Sequence, residues 1–301
     1  MEWNRDLIER LADNVPGGYA AGGEPTTEPT ALAGLALVAH RRRARAMEVA
    51  QLAAEWLANQ QAECGSVGIS PDRPTPCWPT SLAIVLWHAV QSATGSEQFA
   101  ASIARAVQWA LAERGRTQKQ GALARHDTTL TGWSWAANTH SWIEPTAMFV
   151  LALKAVGEGG HPRTREATQL IADRLLPGGG CNYGNTIVLG QTLLPHVQPT
   201  GLAMMALAGE DIDDPRIELS LTYLQRELRR DMTTASLCYG LVGLAAHNRR
   251  PVDRLAWLER AHRRTLDPKA SCYKLALVAL AAADSYPFAN QFGSALAHER
   301  N

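Results

Sequence analysis

Two glutamates stand at the same place in a short phrase that opens an apolar stretch of the chain. The phrase reads EPTAL at residues 28–32 and EPTAM at residues 144–148. Proline is well tolerated in the first turn of a helix, so each phrase predicts a helix that starts beside its glutamate. Burial there would raise the pKa of the carboxyl group, whereas the helix dipole would lower it. Glu28 and Glu144 are therefore candidate acids, and the alternative is that each caps its own helix.

A second group of polar residues lies in the segment before the second of these phrases. His126 and Asp127 are adjacent, and His140 follows them. A histidine paired with a carboxylate can orient a general base, which makes Asp127 a further catalytic candidate. The alternative is that these residues are ordinary hydrogen-bonding groups of a surface loop.

Aromatic side chains are frequent near the same predicted helix starts. Their ring faces can stabilise a cation, but tryptophans at junctions of loops and helices also commonly serve as packing groups. Both interpretations stay open here. Together with two histidines, the predicted substrate-binding set is Trp78, Trp133, Trp135, Trp142, Tyr183, Tyr239, His140 and His196.

The composition argues against several classes of function. Lys and Arg total 29 and Asp and Glu also total 29, so there is no basic surplus to hold a nucleic-acid backbone. The five cysteines form no CxxC motif, so the sequence predicts neither a zinc ribbon nor a thioredoxin-type site. We therefore expect no metal and no cofactor. An odd set of thiols and an N-terminus without an apolar signal core favour a cytoplasmic protein.

The elements that would position these residues form a sixfold repeat. The phrase recurs at 78–82 and 198–202, and two degenerate copies stand at 233–237 and 269–273. Each copy opens a segment that is small and apolar almost all round, which is typical of a buried helix. Amphipathic helices with one charged face are predicted between them. Their expected ranges are 44–59, 98–113, 163–175, 215–229, 252–264 and 287–298.

The order of these helices favours a closed ring. Alternating buried and amphipathic helices can stack as an open solenoid, but an open stack needs polar caps at its ends. The last apolar helix, at 272–283, is as apolar as the middle ones. We therefore predict one all-α domain over residues 1–301, an (α/α)6 toroid of six inner and six outer helices. A helix and lead-in would occupy 1–27, and six helix pairs would span 28–298.

Three connections are long for a compact domain. They cover residues 64–77, 115–143 and 177–197. Loops of this length are usually functional or cover a site. Because each one runs into the start of an inner helix, we expect all three at one mouth of the ring.

Four phrases rich in glycine and aromatic residues occur around these loops. They read QAECGSVG at 61–68, GWSW at 132–135, SWIEPTA at 141–147 and GGCNYGN at 179–185. These phrases resemble eroded QW-type repeats, with Val67 where that motif has tryptophan. Over about residues 28–283 the chain thus resembles the terpenoid cyclase and protein prenyltransferase superfamily. The similarity is to its bacterial prenyltransferase/squalene-oxidase-repeat branch, which is squalene-hopene-cyclase-like.

The resemblance implies a toroid around a central cavity for an apolar isoprenoid chain. It also implies that a carboxylic acid at the start of an inner helix protonates an alkene or epoxide. Glu144, followed by Pro-Thr-Ala, occupies that place, so Glu144 would be the proton donor of a class II cyclisation or isomerisation, with Glu28 assisting. The letters DIDD at 211–214 match the acidic signature of the family, but they precede Pro215 of an outer helix and are expected to cap it.

Three other functions stay open. A non-catalytic toroid could bind a prenyl or lipid group, or another protein, at its mouth. Toroidal glycosidases use two facing carboxylates, although these inner helices are apolar for a sugar site. A zinc prenyltransferase is the least favoured, because the Asp-x-Cys and histidine ligands of that branch are missing. No apolar run reaches the roughly 18–20 residues of a membrane span, which leaves peripheral membrane contact and the oligomeric state open.

Overall fold

Helices make up nearly all the regular structure of the computed structural model, which describes residues 2–119, 125–229, 231–266 and 270–284. Within these ranges, two short strands, β1 (Ile187–Val188) and β2 (Gln191–Thr192), pair as one antiparallel hairpin. The helices are α1 (Glu2–Ala12), α2 (Thr27–Ala39), α3 (Ala46–Ala58), α4 (Thr80–Thr94), α5 (Ala100–Ala112), α6 (Ile143–Ala155), α7 (Pro162–Asp173), α8 (Val197–Leu207), α9 (Pro215–Glu227), α10 (Thr234–Ala246), α11 (Arg254–Thr265) and α12 (Cys272–Ala282).

The even-numbered helices form an inner ring. In α2 every residue from Thr27 to Val38 is buried, and in α6 every residue from Ile143 to Leu153 is buried. A helix that is apolar on all sides can be stable only inside the molecule. Each inner helix contacts the next one along the chain, and α12 contacts α2, so the ring closes.

The odd-numbered helices form an outer layer. Each turns one apolar face to the ring, as α3 does with Ala46, Val49, Ala50 and Leu57. The first helix, α1, contacts α11 and α12 on one side and α2 and α3 on the other, so it takes the outer place beside the ring closure. The outer helix predicted at 287–298 lies outside the described residues. The alternation of inner and outer helices confirms the predicted α/α toroid.

The threonine of the repeated phrase anchors the loop that precedes its inner helix. Thr146 Oγ1 accepts a hydrogen bond from the backbone N–H of Trp133 at 3.0 Å and donates one to the carbonyl oxygen of the same residue at 3.2 Å. One buried hydroxyl thus bonds to both backbone polar groups of a buried residue. Thr30 makes the same double contact with Gly17. Thr80 and Thr200 accept the N–H groups of Val67 and Cys181 in the same way. Their hydroxyl protons go to the nearer carbonyl oxygens of Cys77 at 2.7 Å and His196 at 2.6 Å.

The last two inner helices start later than the degenerate copies of the phrase predict. Glu28 and Glu144 are the second residues of α2 and α6, and the second residues of α10 and α12 are Ala235 and Tyr273. The sequence predicted Thr233 and Lys269 as the equivalents of Glu28, and these lie two and four residues before Ala235 and Tyr273. The anchoring threonine is missing there, and in α12 the N-cap Ser271 Oγ donates to a loop carbonyl at 2.7 Å instead.

Close packing of α8 against α10 generates a test of the ring. A Cβ atom at Gly201 would lie 2.3 Å from the carbonyl oxygen of Tyr239. We therefore expect Gly201→Ala to lower the free energy of unfolding by about 1–3 kcal/mol in urea titrations, because the two backbones must separate. Gly178→Ala is the matched control, since a Cβ there meets no atom within 4 Å. Equal unfolding midpoints for the two variants would contradict the packing.

Candidate functional site

The axis of the ring is lined by side chains in layers, counted from the end where the inner helices begin. Residues four apart lie on the same face of a helix. The residue four positions before each cavity-lining residue therefore faces the axis one turn closer to the helix start. By this spacing the first layer contains Glu28, Glu144, Gln198, Ala235 and Tyr273 in the helices, and Trp78 two residues before α4 begins. The second layer contains Leu32, Leu82, Met148, Leu202, Tyr239 and Leu277. Because every helix contributes at the same level, all six inner helices start at one mouth.

Glu144 is a buried acid with a single amide partner. Its side chain is 6% exposed, and Oε1 accepts a hydrogen bond from Gln198 Nε2 at 2.9 Å. Burial raises the pKa of the carboxyl group from its ordinary value of 4.5 to about 7, although the bond from Gln198 acts in the opposite direction. Glu144 therefore keeps a proton close to neutral pH.

Glu28 is a second buried acid on the same layer. Its Oε2 accepts a short hydrogen bond from the hydroxyl of Tyr19. Burial raises its pKa to about 7, the bond from Tyr19 lowers it, and the charge of Glu144 raises it further. No arginine or lysine of the described residues is among the groups that shift either pKa. Among these residues no backbone N–H of α2 or α6 donates to either carboxyl group, so neither glutamate caps its own helix.

Three tyrosines surround the two acids. Tyr19 and Tyr273 pack with ring centroids 5.2 Å apart. Tyr239 is 6% exposed, and its hydroxyl lies close enough to that of Tyr273 to act on the pKa of Tyr273, which it lowers. Burial raises the pKa of Tyr239 well above its ordinary value, and the charges of Tyr273, Glu28 and Glu144 add to the effect. The phenol of Tyr239 rises from the second layer because the residue above it, Ala235, is small.

Below the acids the axis narrows to an apolar cavity. Its volume is about 20 Å³, which is room for about one water molecule. A cavity for a drug-sized ligand usually measures roughly 300–1,000 Å³. The lining residues are Leu32, Leu82, Met148, Leu151, Leu202, Met205, Cys238, Tyr239, Val242, Leu277 and Leu280. Almost all of them are aliphatic, so the lower axis offers dispersion contacts and few polar ones.

Several of the predicted binding residues lie around the mouth and not on the lower axis. Trp78 packs edge-on against Trp135 with ring centroids 4.7 Å apart. His140 and Trp142 are in ring contact at 5.8 Å, and both line a polar pocket of about 250 Å³ that also contains Arg116. These four side chains thus form two ring pairs in the loops before α4 and α6, and none of them lines the axial cavity.

Trp133 has a packing role. Its Nε1 donates to the carbonyl oxygen of Ala110 at 3.0 Å, and its ring stacks on Phe149 at 4.9 Å. The guanidinium carbon of Arg163 lies 4.0 Å above the same ring. These contacts join α5, α6 and α7, and Trp133 is not among the residues that line the axial cavity.

The remaining predicted residues make their contacts in the loops and not with Glu28 or Glu144. Asp127 accepts hydrogen bonds from the backbone N–H and the hydroxyl of Thr129, which hold its pKa below the usual range. Tyr183 and His196 form a ring pair at 5.1 Å in the loop before α8. Asp214, from the DIDD phrase, caps α9 as predicted and accepts the N–H of Arg216 at 2.9 Å.

Three residues of the site were not predicted from the sequence. Gln198 occupies the place of Glu28 and Glu144 in the fourth copy of the phrase, so the repeat itself contained the signal. Tyr273 was missed because the sixth copy was aligned four residues too early. Tyr19 comes from the lead-in before α2, where no repeat marks it.

Two further features of the described ranges bear on ligands and surroundings. There, no three or more His, Cys, Asp or Glu side chains are grouped as metal ligands. None of the helices there has the length and apolar character that crossing a membrane requires.

Solved structures of toroidal enzymes are similar to this chain. A variant of the type II terpene cyclase MstE from Scytonema, in complex with its substrate geranylgeranyl dihydroxybenzoate, has a TM-score of 0.52 and 15% identity over 86% of this chain and 79% of that one. Endoglucanase Cel10, a family 8 glycosyl hydrolase from Klebsiella pneumoniae, has a TM-score of 0.54 and 15% identity over 92% and 97%. A sugar epimerase from a ruminal bacterium has a TM-score of 0.55 and 11% identity over 93% and 96%.

These similarities establish a shared fold. No protein-family model and no curated protein sequence matches the chain. The α/α toroid that the sequence resemblance implied is thus also the fold of these solved structures. Toroids with such different activities have the same ring, so the activity must be argued from the site.

The raised pKa values predict how stability depends on pH. Between about pH 4.5 and about pH 7 the folded chain holds more protons on Glu28 and Glu144 than the unfolded chain does, so the free energy of unfolding falls as pH rises. We expect Glu144→Gln to reduce this fall by roughly 1–3 kcal/mol. Denaturant titrations from about pH 5 to about pH 8 measure it, with Glu97→Gln at an exposed site as control. A Glu144→Gln profile parallel to that of the wild type would show that the acid is not buried.

Proposed function

We propose that this protein is a terpene-cyclase-like enzyme in which Glu144 donates a proton to an isoprenoid substrate held on the axis of the ring. One observation carries the proposal: a buried carboxyl group that keeps its proton near neutral pH stands where an apolar axis begins. Burial of such a group without a cation opposes folding, and sites of this kind are enriched in function. A general acid needs a pKa close to the working pH, and Glu144 meets that condition.

The hydrogen bonds of the site support a direction for the proton transfer. Oε1 of Glu144 accepts from Gln198, so the transferable proton resides on Oε2. Glu28 assists by staying neutral, because the charge left on Glu144 after proton transfer raises the pKa of Glu28. The ring face of Tyr239 stabilises the positive charge that forms below the acid.

The substrate class follows from the lining of the axis. Aliphatic side chains provide no hydrogen-bonding groups for sugar hydroxyls, whereas they suit the chain of an isoprenoid. The prenylated substrate of MstE supports the same class of ligand. Met148 and Met205 are the flexible members of the lining, and their side chains must move to admit a chain.

The small volume of the axial cavity favours a second candidate, a non-catalytic toroid. A cavity of about 20 Å³ holds no isoprenoid chain without rearrangement. In that case the chain would bind a prenyl or lipid group, or another protein, at its mouth. The two candidates differ in whether any isoprenoid is converted.

Turnover assays separate these candidates. Wild-type protein and Glu144→Gln are incubated with polyprenyl diphosphates, squalene and their epoxides, and the products are analysed by mass spectrometry. We expect conversion by the wild type and a loss of about 100-fold or more in Glu144→Gln, since the amide has no proton to transfer. Glu97→Gln is the control and should keep full activity. Conversion at equal rates by Glu144→Gln would remove Glu144 from the mechanism, and no conversion by the wild type would favour the binder.

Two substitutions of Tyr239 test its ring and its hydroxyl separately. Tyr239→Phe keeps the ring and removes only the hydroxyl beside Tyr273, so it should change the free energy of unfolding by about 1 kcal/mol or less and leave turnover nearly unchanged. Tyr239→Leu removes the ring, so it should lower the rate about tenfold or more. Equal rates for the two variants would exclude a role for the ring face.

A further inference from the structure

Two cysteines stand on opposite arms of the loop between α3 and α4. Cys64 lies six residues after α3 ends, and Cys77 lies three residues before α4 begins, directly before Trp78. The Sγ atom of Cys64 lies 3.2 Å from Oγ of Ser66, and the same hydroxyl is within hydrogen-bonding reach of the Cys77 thiol. The two arms of this loop also run side by side, because the Ile69 N–H donates to the carbonyl oxygen of Arg73 at 2.9 Å and Gly68 lies against the backbone of Pro74. The fold therefore brings together two thiols that are thirteen positions apart.

The environments of these thiols differ from those of the other cysteines. Cys181, Cys238 and Cys272 are buried, and burial raises the pKa of each thiol. Cys64 is exposed, and hydrogen bonds from Ser66 lower its pKa. An exposed thiol with a lowered pKa is the one most readily attacked by peroxides.

The second thiol has the features of a resolving group. Cys77 is half-buried, and its thiol donates to the carbonyl oxygen of Pro74 at 3.2 Å. Burial raises its pKa, so it stays protonated until a partner reacts with it. Reactive thiols of redox sensors are often accompanied by such a second cysteine.

We propose that Cys64 and Cys77 form a reversible redox pair that closes the loop between α3 and α4 through a disulfide bond. Hydrogen peroxide is the oxidant. The Cys64 thiolate attacks one peroxide oxygen, the O–O bond breaks, and hydroxide leaves, which gives a sulfenic acid on Cys64. The Cys77 thiol then loses its proton and attacks that sulfur, the S–O bond breaks, and hydroxide leaves again. In sum two thiols and one peroxide give one disulfide and two waters, and an added dithiol restores the thiols.

The position of the loop gives this pair a structural consequence. Val67, inside the loop, is fixed to α4 by Thr80, whose hydroxyl accepts the Val67 N–H at 2.8 Å. The disulfide requires Cys77 to release Pro74, and the adjoining Trp78 belongs to the first layer of the axis. Oxidation of the pair therefore acts on a residue at the mouth of the ring.

The experiment uses the full chain without denaturant. Wild-type protein is treated with hydrogen peroxide, free thiols are then blocked, and peptides are mapped by mass spectrometry. We expect one linked peptide pair containing Cys64 and Cys77, with a mass lower by two hydrogen atoms, and reversal by dithiothreitol. The three buried cysteines are the internal controls and should react with the blocking reagent only after unfolding.

Two variants assign the roles of the thiols. Cys77→Ser should accumulate a sulfenic acid on Cys64 that dimedone traps, and Cys64→Ser should leave Cys77 reduced under the same treatment. Because Cys64 is exposed and Cys77 is only partly buried, circular dichroism should show folded protein in each variant. The proposal is overturned if peroxide links chains to one another, if it converts Cys64 to sulfinic acid without linkage, or if the linked pair contains a buried cysteine. None of these readouts depends on turnover of an isoprenoid.

Discussion

The removal of two carboxyl groups from water, at the mouth of an apolar ring, is the constraint on which the candidate site depends. Glu28 and Glu144 lie in the same layer, and no arginine or lysine of the described residues is among the groups that shift their pKa values. Ionisation of both carboxyl groups at once is therefore unfavourable. The surrounding polar groups are an amide and three phenols, which hydrogen-bond without adding a full positive charge. Burial of the two acids thus lowers the free energy of unfolding, and it leaves a transferable proton beside an apolar axis.

The rest of the fold keeps those acids in place. Proline and threonine follow each glutamate, and the threonine hydroxyl fixes the preceding loop through both polar groups of one residue. The carboxyl group therefore stands between a rigid helix start and an anchored loop. The hydroxyl accepts a loop N–H in all four copies, which explains why the phrase recurs although only two copies have an acid.

Much of this arrangement was predictable from the sequence, because the features that repeat are the ones that a pattern reveals. The inner helices, the ring and the equivalence of Glu28 and Glu144 all follow from a phrase that recurs at helix starts. The register of α10 and α12 did not follow, since those helices lack the proline and threonine of the phrase. The contribution of Tyr19 depends on a contact between distant segments, and the narrowness of the axis depends on side-chain packing that no local pattern encodes.

The common starting level of the six inner helices has an electrical consequence. Each helix has the equivalent of roughly half a positive charge at its N-terminus and half a negative charge at its C-terminus. Six parallel dipoles around one axis make the acid-bearing mouth positive and the opposite end negative. At that opposite end the imidazole rings of His40 and His247 meet the carbonyl oxygens of Ala279 and Met204, each at 2.9 Å. A positive charge created beside Glu144 would therefore be driven inward along the axis, away from the solvent at the entrance.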